Sequence, residues 1–245
     1  IKSWPTLEKN GLVFVWQDPE GNGPIPEQEP QRQEDCYSGE WTDWQMAAIP
    51  IKSLGRELVD NMADMAHFGP IQSFRNTMEG HKFVQYMVGG HQILTEGDGA
   101  LITSVATYEG PAYMTTSMTG LMDGHPMTTH LLVSPIPVDM NNFIINFGVM
   151  MKKDPNVSEA GNRAMVEEYT ERNIESFHQD VAIWNNKCII DNPLMCDGDG
   201  PIHLVRKWYS QFMTDVADIR DDQVRAREHV TVEGPSVEEV IAAMR

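Results

Sequence analysis

"ALITSVATYEGPAYMTTSMTGLM", residues 100–122, holds two β-rich runs that meet at Gly110-Pro111. Threonine, valine, isoleucine and tyrosine suit a pleated surface, and a Gly-Pro step reverses the chain. The same pattern continues on both sides. "KFVQYMVG" (82–89) precedes it, and "TTHLLVSPI" (128–136) and "FIINFGVMM" (143–151) follow. Between Lys82 and Met151 the breaks are Gly, Pro and Asp-Gly turns, with no helical pattern among them. At least five strands in succession with short connections predict an antiparallel sheet.

Outward from that sheet the signals change. "GLVFVW" (11–16) reads as a short buried strand ending at the turn "DPEGNG", and residues 18–40, rich in Pro, Glu and Gln, read as an exposed loop. "WTDWQMAAIPI" (41–51) reads as another strand. A helix is predicted over Leu54–Phe68, with Ser53 as its N-cap and Gly69-Pro70 as its stop. C-terminal to the sheet a long helix is predicted over Ser158–Lys187. Its apolar seam is Ile174, Phe177, Val181, Trp184 and Cys188, spaced by three and four. A turn, the amphipathic segment "PIHLVRKWYSQFM" and a short helix near Val237–Met244 complete the chain. The class is α+β, one antiparallel sheet with a long C-terminal helix packed on it, and residues 1–245 read as a single domain.

Composition narrows the function. A formal net charge of -18 disfavours nucleic acid and anionic membrane surfaces, which both call for Lys and Arg. No apolar run reaches the ~18 residues of a membrane span. Cys36, Cys188 and Cys196 are odd in number and lack zinc spacing, which predicts a reducing compartment and a cytoplasmic location. Asn156-Val157-Ser158 matches a glycosylation acceptor, a pattern common by chance. The chain opens at Ile1 without a signal peptide, so upstream sequence is a question the residues raise themselves.

"DNMADMAHFGPIQSF" (60–74) carries the candidate chemistry. On a helix Asp60, Asp64 and His67 share one face, and their neighbours Met62, Met65, Ala66 and Phe68 are apolar. A solvated acidic face would look the same, but a buried carboxylate needs a partner or a metal. Asp180 is the second candidate. It stands three residues after Phe177 and four before Trp184, at the edge of the buried seam. His67 with Asp180 would make two-thirds of a 2-His-1-carboxylate iron site; an ion pair or hydrogen bond between helices fits the pair equally well. "DGDG" (197–200) hints at calcium, but Trp208 stands where an EF-hand loop needs Glu. Met114, Met118, Met122, Met127 and Met140 read as core filler, with lining for a rigid apolar ligand as the second reading.

"DNMADMAHF…EGH", followed far downstream by "QDVAIWNNKCIIDNPL…DGP…LVRKWYSQFMTDVAD", resembles the catalytic domain of Rieske non-heme iron oxygenases, most of all the 3-ketosteroid 9α-hydroxylase branch. "IKSWPTLEKNGLVFVWQDPEGNGP" resembles the segment that leaves the Rieske domain in that branch, so the likeness runs from about Ile1 to Asp218. The resemblance implies a helix-grip domain whose curved antiparallel sheet wraps an Fe(II) site and an apolar pocket. It implies iron ligation by His67 and Asp180, and a catalytic role for Asp64, relaying the electron and holding the ligand histidine.

Two departures shape what is expected. The second ligand histidine of the family falls on Gln72, a much weaker donor to Fe(II), with Gly69-Pro70 interrupting the backbone before it. His81, His91, His125, His130, His178, His203 and His229 lack the helical spacing to His67 that would replace it. No two Cys/His pairs of the kind a Rieske centre needs are present either. The 2Fe-2S cluster is therefore expected on a partner chain or on a domain outside these residues. The first expectation is an accessory subunit of a steroid monooxygenase, its iron lost or weakly held. It would assemble as a trimer or hetero-hexamer with a Rieske-bearing homologue and be fed from NAD(P)H by a flavin and iron–sulfur reductase. An active Fe(II) steroid hydroxylase domain and a non-enzymatic steroid- or lipid-binding helix-grip module are the alternatives.

Overall fold

The computed structural model describes residues 3–64, 82–87, 91–98, 102–122, 124–195 and 199–230. Strands β1 (Thr6–Lys9) and β2 (Leu12–Val15) form a hairpin. Its two-residue turn, Asn10-Gly11, has φ of 56° and 74°, the left-handed pair that matches strand twist and that Asn-Gly supplies at least cost. The predicted strand over 11–16 is thus real but not buried: Val13 and Val15 are 71% and 59% exposed, because each faces away from the sheet below. Residues 18–40 form a strap with two single 3-10 turns, Pro26–Gln28 and Glu34–Tyr37.

The main sheet comprises β3 (Gln45–Ile51), β4 (Lys82–Met87), β5 (Gln92–Asp98), β6 (Ile102–Glu109), β7 (Met114–Met122), β8 (His125–Asp139), β9 (Asn142–Met151) and β10 (Arg227–Val230). Their order is β10-β4-β5-β6-β7-β8-β9-β3, and every pair is antiparallel. Two strands of this sheet, like β1 of the hairpin, escaped the sequence reading. β5 carries Glu96, Gly97 and Asp98, poor strand formers, and β10 is four residues long. Prolines sit where the ladder allows them. Pro50 lies on the edge strand β3. Pro126 pairs only towards β7, and Pro135 and Pro137 only towards β9.

Helix α1 spans Gly55–Ala63, shorter than the 54–68 expected, with Leu54 rather than Ser53 at the N-cap and no side-chain cap. Ser53 is buried instead. Helix α2 spans Glu159–Trp184; Ser158 caps it by accepting from the Gly161 N–H at 3.1 Å. Ile174, Phe177, Val181 and Trp184 pack on the sheet as the seam predicts. Cys188 does not: it lies beyond the helix and is exposed. Helices α3 (Ile202–Ser210) and α4 (Asp221–Val224) follow, and the helix expected near 237–244 lies outside the described residues.

Strand alternation gives the sheet two faces. One carries Ile49, Ile51, Val133, Phe143, Ile145, Phe147, Val149 and Met151 against α2, with Phe147–Phe177 and Phe177–Trp184 ring contacts at 5.6 and 5.4 Å. Ile93 and Tyr108 continue that core under α1 and α3 with Val59, Ala63, Val205 and Trp208. Met114 and Met127 are core as expected; Met140, at the β8–β9 turn, is 79% exposed and is not. Hairpin and strap cover the opposite face. Asn10, fully buried, ties them: its Nδ2 donates to Gln31 O and Tyr113 Oη, and its Oδ1 accepts from Gln33 N. Among the described residues no helix is long and apolar enough to cross a membrane.

Candidate functional site

The residues expected to carry the chemistry lie on α1, α2 and the chain after α1. Asp180 is on α2 and only 2% exposed, on the stripe that buries Val166, Thr170 and Trp184. His178, two residues earlier, is exposed, as its different helical face requires. Asp64 is the C-cap of α1: its N–H still donates to Asp60 O at 3.0 Å, but its ψ of 85° has left the helix. The helix that carries Asp60 therefore ends before Asp64, which stands at its C-cap rather than within it. His67 and Gln72 lie outside the described residues. Among the described residues no three His, Cys, Asp or Glu side chains converge enough to hold a metal ion. Of the donors that the resemblance implies, the described residues thus offer one, the buried carboxylate of Asp180, whose chemistry fits a hard-oxygen ligand to iron.

Asp60 has a different employer. Arg206 of α3 grips it bidentately, Nε lying 2.9 Å from Oδ1 and Nη2 2.5 Å from Oδ2. Nη1 of the same guanidinium donates to Ile190 O at 2.7 Å and Asp191 O at 2.9 Å. The Asp60 hydrogen bond raises the Arg206 pKa further, so the cation is permanent. One turn back on α1, Glu57 is fully buried and its Oε2 is 2.5 Å from Lys187 Nζ; Arg56 reaches Asp191 at 3.1 Å. Lys52 N donates to Asn185 Oδ1 at 2.7 Å. These contacts lock the end of α2 and the segment after it to α1 and α3, and so fix the two elements that bear Asp64 and Asp180 relative to each other. Gly200 completes the seat. Its φ is +68°, and a Cβ there would stand 2.0 Å from the Ala63 carbonyl oxygen, at the foot of Asp64. Gly200, the last residue of the "DGDG" run, thus packs backbone to backbone against the end of α1.

Beside this frame lies a buried, mainly apolar surround of Val59, Ala63, Ile93 and Val205. Among the described residues the Tyr108 hydroxyl and the Trp208 indole N–H within it, and the buried Thr95 hydroxyl two residues along the strand from Ile93, have no hydrogen-bond partner. Burial pushes the Tyr108 phenol well above its usual pKa, so it remains a donor at any working pH. Sequence reading missed Glu57, Lys187, Arg206 and this trio. The available signal was two acids on one face of an apolar helix in a chain with only 18 Lys and Arg: such acids demand cations.

Residues 15–213 match the family model described as 3-Ketosteroid 9alpha-hydroxylase C-terminal domain. The chain is 40% identical over 236 residues to a 3-ketosteroid-9-alpha-monooxygenase oxygenase component of Rhodococcus rhodochrous, covering 91% of this chain and 60% of that protein. It is 36% identical over 234 residues to the protein of the same name from Mycobacterium tuberculosis, covering 91% and 61%. The chain therefore spans about three-fifths of the length of these relatives. Among solved structures it is similar to Pseudomonas putida CBB5 NdmB (TM-score 0.64, 14% identity, 92% of this chain and 66% of that one). It is also similar to dicamba monooxygenase bound to dicamba (TM-score 0.54, 13% identity, 85% and 69%). The sheet order, the α2 seam and the family match agree: this chain belongs to the 3-ketosteroid 9α-hydroxylase C-terminal domain family of Rieske-type oxygenases.

Proposed function

We propose that residues 1–245 form one catalytic-type domain of the oxygenase component of a ketosteroid 9α-monooxygenase system, serving as an accessory subunit with a degenerate iron site. The observation that carries this is Gln72, a neutral amide where the family resemblance places an imidazole. Three buried donors and acceptors in or beside an apolar surround, Tyr108, Trp208 and Thr95, support a steroid-like ligand: hydrocarbon over most of its surface, with few oxygens to satisfy. The family implies non-heme iron and a Rieske cluster. In a complete site, Asp180 and His67 would hold the iron, which supplies activation of O2 for insertion of one oxygen atom. This chain's own part is to bury the ligand, exclude water and hold Asp180 and Asp64 through the Arg206 and Glu57 contacts. The cluster would reside outside these residues, on a preceding segment or on a homologous Rieske-bearing subunit in a trimer or hetero-hexamer, with a flavin and iron–sulfur reductase as the electron source. The acidic surface and the absence of a spanning helix among the described residues give no support to nucleic acid or a membrane as a partner.

A second reading, an active hydroxylase domain, is favoured by one observation: Asp180 is retained and buried where a ligand carboxylate would be needed. Asp64→Asn separates the two. In an active site a residue that supports a ligand histidine costs ~10–100-fold when changed, and one on the electron path costs more. In an accessory subunit the substitution keeps the shape. Steroid turnover by the assembled complex, at saturating reductase, should then stay within about threefold of normal, well inside that ~10–100-fold loss. Abolished turnover with the fold intact would place the chemistry in this chain.

A further inference from the structure

On the face of the sheet opposite α2, three side chains far apart in sequence form a hydrogen-bonded line. Ser117 Oγ on β7 is 2.8 Å from His130 Nδ1 on β8, its cross-strand neighbour. His130 Nε2 is 2.7 Å from Asp35 Oδ2, in the second 3-10 turn of the strap. An ionised carboxylate only accepts, so Nε2 carries the ring proton. In the neutral ring Nδ1 is then the acceptor, and the Ser117 hydroxyl donates to it. The imidazole, 9% exposed, is also stacked on Trp41 at 4.3 Å with 12° between planes, which fixes its rotation. A hydroxyl, a base within reach of its proton, and a carboxylate that sets the base's tautomer are the parts of a nucleophilic serine, whatever their order in the chain.

The serine opens on a cavity. A cleft of about 120 Å3 lies between strap and sheet, and Ser117 lines it with Arg32, Gln33, Thr107 and Glu109. A water needs roughly 10–15 Å3 of such space, so the cleft admits several waters and with them an acetyl-sized group. Arg32 is the cation among these residues, held over the Tyr37 ring at 3.5 Å and beside Glu34 at 2.9 Å. None of these residues belongs to the α1–α2 site, so the reading stands independently of the oxygenase proposal.

We infer that Ser117, His130 and Asp35 form a second, hydrolytic site that cleaves small acyl esters. The Ser117 oxygen attacks the ester carbonyl while its proton moves to His130 Nδ1. The tetrahedral intermediate collapses by breaking the acyl–oxygen bond, and the departing alcohol takes that proton. Water, deprotonated by the same nitrogen, then releases the carboxylic acid and restores the serine. No redox partner or metal enters the balance.

The test uses the full-length protein and two probes: a fluorophosphonate, whose phosphorus would be captured by the serine oxygen with loss of fluoride, and p-nitrophenyl acetate. Intact-mass analysis should show one adduct per chain, and peptide mapping of the unmodified protein should place it on Ser117. Ser117→Ala should abolish both the adduct and ester cleavage. His130→Gln should slow them at least ~100-fold, the lower range for loss of a general base. Thr119→Ala, an exposed hydroxyl on the same strand, should leave both within about twofold, small against that general-base loss. Failure of the protein to be labelled, or labelling at another residue, would overturn the inference and make the line a structural tether of the strap. Because mapping is done on the unsubstituted chain, misfolding of a variant cannot obscure the result.

Discussion

Replacing Arg206 with alanine should lower the unfolding free energy by about 3–5 kcal/mol, the cost of leaving one partner of a buried ion pair uncompensated. Asp60, with its side chain 5% exposed, would be left without its fork, and Ile190 and Asp191 would lose a donor to their carbonyls. For a chain of this size that corresponds to a fall in melting temperature of roughly 6–20 °C. Arg206→Lys keeps the charge but gives up the planar grip on four oxygens at once, and should fall between the parent and the alanine variant. Urea unfolding of the purified variants measures this. A loss below ~1 kcal/mol would mean that the pair behaves as a solvent-screened surface bridge, and that α1 is held by its apolar face alone.

Gly200→Ala carries the second large effect. Two costs add: about 1–2 kcal/mol for a side chain at positive φ, and ~1–3 kcal/mol for forcing atoms into filled space. The added Cβ would meet backbone at 2.0 Å, the Ala63 carbonyl oxygen, so no side-chain rotation relieves it. Gly39 is the control. Its φ is +74°, but a Cβ there has nothing within 4 Å, so Gly39→Ala should show the conformational cost alone. Equal losses in the two variants would show that the 199–201 turn moves freely off α1. A larger loss at Gly200 would show that this turn clamps the residue preceding Asp64.

The sheet was legible because its strands are long, rich in β-branched residues and cut by Gly and Pro, as in 100–122. The α2 seam was legible because Phe177, Val181 and Trp184 repeat at three and four. What sequence could not give was what occupies the polar groups. Asp60 looked like a ligand until Arg206, 146 residues away, was seen to hold it. Asp64 looked helical because its spacing continued the pattern, whereas its backbone turns out at that residue. Ser53 looked like a cap, but the chain buries it and starts the helix one residue later, since a cap residue is a weak preference against tertiary packing. Asn10-Gly11 was a readable turn that went unread. Its hairpin explains why Val13 and Val15 face outward.

Iron content of the purified full-length protein tests the degenerate-site proposal most directly. With Gln72 in place of an imidazole donor, iron should be well below one per chain after reconstitution and desalting. Gln72→His should raise it where the local backbone still presents that position. Iron near one per chain, lost on His67→Ala, would contradict the accessory role and make this an active hydroxylase domain.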